Sequence, residues 1–175
     1  MNEKSGKIYL LDANIVIHAH SLYYNMNRVP EFWSWLEHIC ANGNAKIPQE
    51  ILSEIKGGKN AQHAQWSRED KVKEKILLDE EFDADLLNKV IEEGYAPDLN
   101  DLEIEKIAMD PILVSYALKD PVNRIVVSNE TPKPSAQRAN KKIPDICGVF
   151  DIQCCNVFSL INHLDFTTNW ESSLP

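Results

Sequence analysis

The sequence has no apolar run that approaches the length of a membrane span, which takes about 20 consecutive apolar residues in a helix. It also shows no signal-peptide pattern near its beginning, because Met1–Lys7 leads directly into a short strand-like run. We therefore expect a cytoplasmic protein with no membrane partner.

The chain has few cysteines, and they follow no metal-binding spacing. None of the 4 cysteines, Cys40, Cys147, Cys154 and Cys155, belongs to a C-x-x-C pair, which argues against a zinc site. Cys154 and Cys155 are adjacent and would point to opposite faces of a strand. We expect all of them to be reduced and mostly buried.

Two features of nucleotide-binding and nucleic-acid-coating proteins are also missing. No Gly-x-Gly-x-x-Gly motif follows the first predicted strand, which argues against a dinucleotide-binding domain. Lys and Arg number 18 against 27 Asp and Glu, so the net charge is −9. Such a charge argues against a protein that coats nucleic acid. It is compatible with an enzyme that gathers acids at a metal site and keeps its basic residues in one patch.

The sequence does have the composition of a globular domain, with 43% hydrophobic and 26% charged residues. Its 175 residues suit one domain with an insertion. Strand-like runs at 8–11, 45–47, 124–128 and 152–157 alternate with helical patterns, which predicts an α/β sandwich with a parallel sheet. Residues 57–100 are polar and charge-rich, and we expect them to form a helical insertion.

The predicted helices have ordinary boundary signals. Pro48 opens one at the first turn and Gly57-Gly58 stops it, while Asp110-Pro111 opens another. The predicted helical segments are about 13–21, 31–40, 48–55, 68–78, 83–93, 101–108, 110–119 and 158–164. Residues 129–142 are predicted to form a polar loop, and 143–150 a helical turn.

The first strand ends in a carboxylate. Ile8–Leu11 is apolar throughout, as in a parallel strand covered on both faces, and Asp12 follows it directly. Ligands of open α/β sheets bind at the carboxyl ends of the strands. The alternative is that Asp12 only caps the next helix, which is a common role for Asp.

Three further acids can reach the same edge of a parallel sheet. Asp110 starts a predicted helix about 15 Å long, and strand 124–128 runs back about 16 Å, which returns Glu130 towards Asp110. Glu54 lies on the helix that leaves the second strand. Asp12, Glu54, Asp110 and Glu130 are thus predicted to converge, with Asp145 as a fifth candidate from a loop.

Carboxylates at such a distance repel one another and lose hydration, so they favour a bound cation. Hard Mg²⁺ or Mn²⁺ suits an all-oxygen site. Such a site can activate water and stabilise charge on a phosphoryl oxygen. Each acid taken singly has an ordinary role on a surface, at a helix start or in a turn, and the argument rests on their common location.

Four segments of the sequence, in this order along the chain, resemble the motifs of a known family: Leu10–Asn14, Ile47–Ile55, Asp110–Leu118 and Ile125–Glu130. Together they resemble a PIN domain, a metal-dependent ribonuclease fold found in many prokaryotic toxins. The resemblance implies a three-layer α/β/α sandwich with a central, mainly parallel sheet. It also implies that Asp12, Glu54 and Asp110 bind metal, that Asn14 orients Asp12, and that Ser128 lies near the scissile phosphate.

The chain departs from the family pattern in two places. The family usually has Asp where this chain has Glu130, so either Glu130 or Asp145, in the segment Ile143–Cys147, is expected to complete the site. The insertion at 57–100 is longer than in the smallest members of the family.

The function that the resemblance implies is a divalent-metal-dependent endoribonuclease, the toxin of a toxin–antitoxin pair, with RNA as substrate and Mg²⁺ or Mn²⁺ as cofactor. Lys133, Arg138, Lys141 and Lys142 lie in a loop without acids and are predicted to bind the RNA backbone; a solvated loop is the alternative. One competing function is a non-catalytic PIN-like adaptor. Another is a haloacid-dehalogenase-type phosphatase, but its second acid is replaced by Asn14 and its downstream Asp-Asp pair is missing.

An antitoxin or a second copy of the chain is a possible protein partner. Aromatic residues crowd the early helices, and such residues are frequent at interfaces. An ordinary core is the alternative, and it is favoured for two of them, Phe32 and Trp35. The residues concerned are Tyr23, Tyr24, Phe32, Trp33 and Trp35.

Overall fold

The computed structural model describes residues 6–56 and 60–174. The predicted helix stop at Gly57-Gly58 lies outside these residues. Four parallel strands form one sheet in the order β2-β1-β3-β4. The strands are β1 Ile8–Leu11, β2 Ala45–Lys46, β3 Arg124–Val127 and β4 Gln153–Cys155.

Helices cover both faces of this sheet. In β1, the consecutive residues Tyr9, Leu10 and Leu11 are 6%, 0% and 0% exposed. Because successive side chains of a strand point to opposite faces, both faces must be packed. The predicted three-layer α/β sandwich with a parallel sheet is therefore confirmed.

The helices follow the predicted order with several differences at their ends. The predicted helix at 13–21 divides into α1 and a π-helical turn at Ala19–Tyr23. The predicted helix at 68–78 corresponds to the helix Asp70–Ile76, and a separate helix at Gln62–Arg68, absent from the prediction, ends where Glu69 has an extended backbone. The helices are α1 Ala13–His18, α2 Pro30–Ala41, α3 Gln49–Lys56, α4 Gln62–Arg68, α5 Asp70–Ile76, α6 Ala84–Lys89, α7 Asp101–Ile107, α8 Asp110–Leu118, α9 Ile143–Val149 and α10 Val157–His163.

The insertion is helical but belongs to the core. Trp66 and Val72 are buried, and α5 packs against α2. The insertion also extends the edge of the sheet, because Ile47 donates its N–H to Ile76 O and accepts the N–H of Leu78, both at 2.8 Å. A helical insertion that only packed on the surface of the domain would not add hydrogen bonds to the edge of the sheet.

The aromatic residues of α2 are core residues. Phe32, Trp33 and Trp35 are 0%, 4% and 2% exposed. Phe32 stacks on Tyr24 with ring centroids 4.5 Å apart, and the Trp33 indole donates to Tyr24 O at 2.7 Å. The aromatic rings of α2 are therefore part of the core and are not exposed at a surface where a partner could bind.

The cysteines are free thiols, with Cys40 and Cys147 buried and Cys154 and Cys155 half-buried. The prediction that the cysteines are reduced agrees with the structure, and two of the four, Cys40 and Cys147, are buried as expected. Within the described residues, every helix is too short or too polar to cross a membrane.

Candidate active site

The register of the sheet brings Asp12 and Ser128 together. Leu11 of β1 lies opposite Val127 of β3, so the next residue of each strand emerges at the same edge. The Asp12 N–H donates to Val127 O at 3.0 Å, which continues the pairing by one residue. The Ser128 hydroxyl then donates to Asp12 Oδ2 at 3.3 Å. Both side chains are buried, at 5% and 2% exposure.

Asp12 occupies the N-cap position of α1, but its carboxylate makes no cap hydrogen bond. Burial raises the pKa of Asp12 above its ordinary value, and the charge of Glu130 adds to the rise. The nearby backbone N–H groups of Asn14 and Ala13, together with Ser128, oppose it. Asp12 thus lies at the start of α1, where the first backbone N–H groups of the helix favour its charged form, while burial and Glu130 oppose that form. Both the helix-start role and cation binding are compatible with this position.

Asp110 is the first residue of α8 and receives the strongest influence from other acids. Burial, followed by the charges of Glu130, Asp12 and Glu54, raises its pKa to about 7, and Lys142 opposes this rise. These acids must lie close together to act on one another. We call Asp12, Glu54, Asp110 and Glu130 the acidic site.

The two remaining members of the acidic site differ in their surroundings. Glu54 lies on the exposed side of α3, where partial burial and then the charge of Asp12 raise its pKa. Glu130 is half-buried, and both of its carboxylate oxygens accept hydrogen bonds. Oε1 accepts from Lys142 Nζ at 2.8 Å, and Oε2 accepts from the Ile143 N–H at 2.9 Å. The prediction that Glu54 and Glu130 lie near Asp12 and Asp110 agrees with the effects of these acids on one another's pKa values.

The four acids of the acidic site do not have the geometry of metal ligands. Among the described residues, no three His, Cys, Asp or Glu side chains are grouped closely enough to hold a metal ion as they stand. The donor set nevertheless fits Mg²⁺ or Mn²⁺, because it consists of carboxylate oxygens whose raised pKa values reflect negative charge that is poorly compensated. To hold such an ion, the acids would have to draw closer together.

Asp145 does not join the acidic site. Its two carboxylate oxygens accept the Lys133 N–H at 3.0 and 2.9 Å, and Oδ2 also accepts the Lys142 N–H at 3.0 Å. Asp145 thus anchors the loop before α9 and the first turn of that helix. Of the two predicted candidates for completing the site, the structure brings in Glu130.

Asn14 is exposed, and its side chain makes no hydrogen bond to Asp12 within the described part of the chain. The predicted orienting role of that side chain is therefore wrong. Its backbone N–H favours the charged form of Asp12 instead, and the side chain that contacts Asp12 is Ser128. Ser128 is 2% exposed and donates its hydroxyl to Asp12, so its main side-chain contact is with that carboxylate.

Arg138 also differs from its predicted role as an RNA-binding residue. Its Nε donates to Glu103 Oε1 at 2.7 Å, and its Nη1 donates to Asp98 Oδ1 at 2.6 Å. The guanidinium therefore ties the loop to α7 and to the segment before it. We call Arg138, Asp98 and Glu103 the arginine cluster.

The lysines of the same loop do line a cleft beside the acidic site. This cleft measures about 170 Å³ and opens next to Asp110. We call it the lysine cleft, after its basic residues Lys106, Lys133, Lys141 and Lys142. Lys106, which donates to Asn140 Oδ1 at 2.6 Å, is absent from the sequence prediction. The available signal was its place one turn before Asp110, at the end of α7.

A second cleft, of about 300 Å³, is lined by Ser128 and Glu130 and by Asn156 and Ser159 around the start of α10. The first cleft thus reaches the acidic site at Asp110 and the second at Glu130.

Tyr95 is a further site residue that the sequence did not indicate. It ends the π-helical turn Val90–Tyr95 and is 4% exposed. Burial raises the pKa of its hydroxyl, and the charges of Asp110 and Glu130 raise it further. No sequence motif marks this residue, since only the packing of the insertion brings it to the acids.

A family model described as a domain of unknown function (DUF4411) matches residues 9–168. No curated protein and no solved structure matched the chain. The matched segment begins within β1 and runs past the end of α10, so it includes all of the acidic site, the lysine cleft and Tyr95.

Proposed function

The chain belongs to the DUF4411 family, and we propose that it acts as a divalent-metal-dependent endoribonuclease with a PIN-like fold. The observation that carries the proposal is the rise in the pKa of Asp110 to about 7 through burial and three other carboxylates. A group of acids in which one is buried and the pKa of another is raised by its neighbours is typical of a catalytic site. A structural ion-pair network would instead lower the pKa of its acids.

In the proposed mechanism, Asp12, Glu54 and Asp110 would hold Mg²⁺ or Mn²⁺, with Glu130 completing the group. Such an ion would supply a water molecule of lowered pKa and stabilise charge on a phosphoryl oxygen. Ser128 keeps Asp12 in place through its hydroxyl. Because the pKa of Asp110 is about 7, this carboxyl would have to give up its proton to act as a ligand near neutral pH.

The lysine cleft supports a polyanionic substrate. It lies directly beside Asp110, and the side chain of Lys133 makes no hydrogen bond or ion pair with the described residues. A phosphate chain that follows this cleft would pass the acidic site. Basic side chains bind phosphates without regard to base sequence, so the cleft positions the backbone and leaves the choice of RNA open.

The choice of RNA over DNA, the toxin role and an antitoxin partner rest on the resemblance to PIN domains. They predict that the chain arrests growth when it is expressed alone, and that the product of a neighbouring gene relieves the arrest. Self-association remains a separate prediction, which light scattering over a range of concentrations would test.

A non-catalytic adaptor is the second candidate function. The pairing of Glu130 with Lys142 at 2.8 Å favours it, because this lysine could take the place of a metal ion. The phosphatase alternative loses support, since its acid/base position is occupied by Asn14, whose amide side chain cannot act as a general acid or base.

RNA cleavage with and without metal separates the two candidates. Purified protein is incubated with unstructured and structured RNAs in Mn²⁺ and, in parallel, in EDTA. We expect cleavage of unpaired regions in Mn²⁺ only. Equal cleavage in both conditions would indicate a contaminating nuclease, and binding without cleavage would favour the adaptor.

A further inference from the structure

The π-helical turn Val90–Tyr95 is fixed against the two helices that flank the acidic site. It packs on both α8 and α9. A Cβ atom at Gly94 would lie 3.0 Å from Ile146 and 3.2 Å from Phe150, so the backbone approaches α9 more closely than a larger residue allows. Lys141 also donates to Gly94 O at 2.5 Å. The turn therefore has a defined position relative to Asp110.

Tyr95, at the end of this turn, carries an unusual hydroxyl. The side chain is 4% exposed, and the hydroxyl finds no hydrogen-bond partner among the described residues. Burying a polar group without a partner costs folding free energy, so such groups are rare and require an explanation. Phe would fill the same space without this cost.

The position of the hydroxyl provides the explanation. Tyr95 ends a turn that packs on α8, whose first residue is Asp110, and the charges of Asp110 and of Glu130, which follows β3, act on its hydroxyl. Neither carboxylate accepts a hydrogen bond from it in this structure. The hydroxyl is thus an unpartnered donor within electrostatic range of two acceptors.

We propose that Tyr95 is a positioning residue of the acidic site, whose hydroxyl donates a hydrogen bond to Asp110 when the acids close around a divalent cation. This inference rests on the proposed function. Carboxylate ligands of metals are commonly held by a hydrogen bond to the oxygen that does not bind the ion. A phenol suits this role better than a lysine, because it is neutral and leaves the negative charge for the cation.

The proposal gives the insertion a role in the acidic site. The π-helical geometry brings one residue more into a turn than an α-helix does, and such turns are frequent at functional sites. Here the turn ends at Tyr95, and Lys141 of the loop contacts the preceding residue, Gly94. The insertion would therefore contribute Tyr95 to the site next to the lysine cleft.

Tyr95→Phe removes only the hydroxyl and tests the proposal. Mn²⁺ binding is measured by calorimetry in the absence of RNA, and the melting temperature is measured without metal. We expect Mn²⁺ affinity to fall about tenfold or more. The metal-free melting temperature should stay the same or rise, because the hydroxyl has no partner to lose.

Tyr116→Phe is the matched control. Tyr116 is also buried and lies on α8, but its hydroxyl contacts Glu50 Oε1 and Glu80 O, each at 3.5 Å, away from the acidic site. This variant should bind Mn²⁺ like the parent protein.

Three outcomes would overturn the inference. Parental Mn²⁺ affinity in Tyr95→Phe removes the positioning role and leaves the proposed function intact. A fall in metal-free melting temperature together with affinity assigns Tyr95 a general structural role. A parent protein that binds no Mn²⁺ removes both the inference and the proposed function.

Discussion

The acidic site and the arginine cluster contain the same kinds of acid in opposite electrostatic states. In the arginine cluster, the hydrogen bond from Arg138 lowers the pKa of Glu103 to about 2. In the acidic site, burial and neighbouring carboxylates raise the pKa of Asp110 to about 7. In the arginine cluster one guanidinium pairs with both acids, whereas in the acidic site the chain supplies Lys142, which pairs with Glu130 alone of the four acids.

This difference separates structural from functional use of charge. In the arginine cluster, Asp98 is exposed and Arg138 and Glu103 are partly exposed, so solvent screens their interactions and the cluster mainly fixes the conformation of a loop. The acidic site lies where burial makes uncompensated charge costly. Proteins accept such a cost chiefly where a ligand or a reaction requires it.

Substituting one acid in each group should give the largest contrast. Asp12→Asn keeps the shape of the side chain and removes its charge. We expect it to abolish RNA cleavage and the stabilisation by Mn²⁺, which for the parent is about 2.7 kcal/mol at one hundred times the dissociation constant. Without metal, the variant should melt higher than the parent because one repelling charge is gone.

Asp98→Asn is the control from the arginine cluster, and it should leave both cleavage and the Mn²⁺ response unchanged. Thermal melting with and without Mn²⁺ and an RNA cleavage assay measure these effects. If the Asp12→Asn variant still cuts RNA and is still stabilised by Mn²⁺, Asp12 does not bind a catalytic metal ion, and the two groups of acids do not differ in function as proposed.

The dependence of stability on pH should have opposite signs in the two groups. Because the folded pKa of Asp110 is raised from 3.8 to about 7, the folded protein binds more protons than the unfolded chain between these values. The free energy of unfolding without metal should therefore fall from about pH 4 to pH 7, by on the order of 2 to 4 kcal/mol.

Glu103, with its lowered pKa, stabilises the fold above the ordinary value of 4.5 and loses this contribution as pH falls towards 2. Urea unfolding at pH 5 and pH 8, with and without Mn²⁺, measures the first effect. Asp110→Asn should flatten the dependence between these pH values. An equally steep dependence in that variant would assign the effect to other groups.

The smallest expected effect concerns RNA binding by the basic residues. Replacing Lys106, Lys133 and Lys141 with Gln should weaken RNA binding and reduce the salt slope by about 0.7 for each phosphate that is no longer bound. Arg138→Gln should lower the melting temperature slightly and leave the salt slope unchanged, because its charge is already paired with Asp98 and Glu103. Fluorescence anisotropy at several salt concentrations distinguishes the two. A larger change of slope in Arg138→Gln would reverse their assigned roles.

Local sequence patterns were sufficient for most of the fold and for the centre of the site. The apolar run Ile8–Leu11 predicted a strand buried on both faces and placed Asp12 at its carboxyl end. The lengths of α8 and β3 predicted the return of Glu130 towards Asp110, because rise per residue is nearly constant in each element. These predictions need only periodicity and geometry.

Predictions about partners of individual side chains were less successful. Asp145 was a candidate metal ligand, but its carboxylate is taken by the backbone N–H groups of Lys133 and Lys142. Arg138 was a candidate RNA ligand, but its partners Asp98 and Glu103 come from 40 and 35 residues earlier in the chain. A residue type shows what a side chain can bind, and several partners compete for it in the folded chain.

The sequence by itself thus determined the alternation of strands and helices, the parallel sheet and the edge at which the acids gather, because each follows from local apolar periodicity. Only the tertiary structure decided which acids remain without a cation, that Lys106 joins the lysine cleft, and that Tyr95 is buried where the charge of Asp110 acts on it. The physical reason is that burial and pairing depend on segments far apart in the chain. No local pattern records which of them will meet.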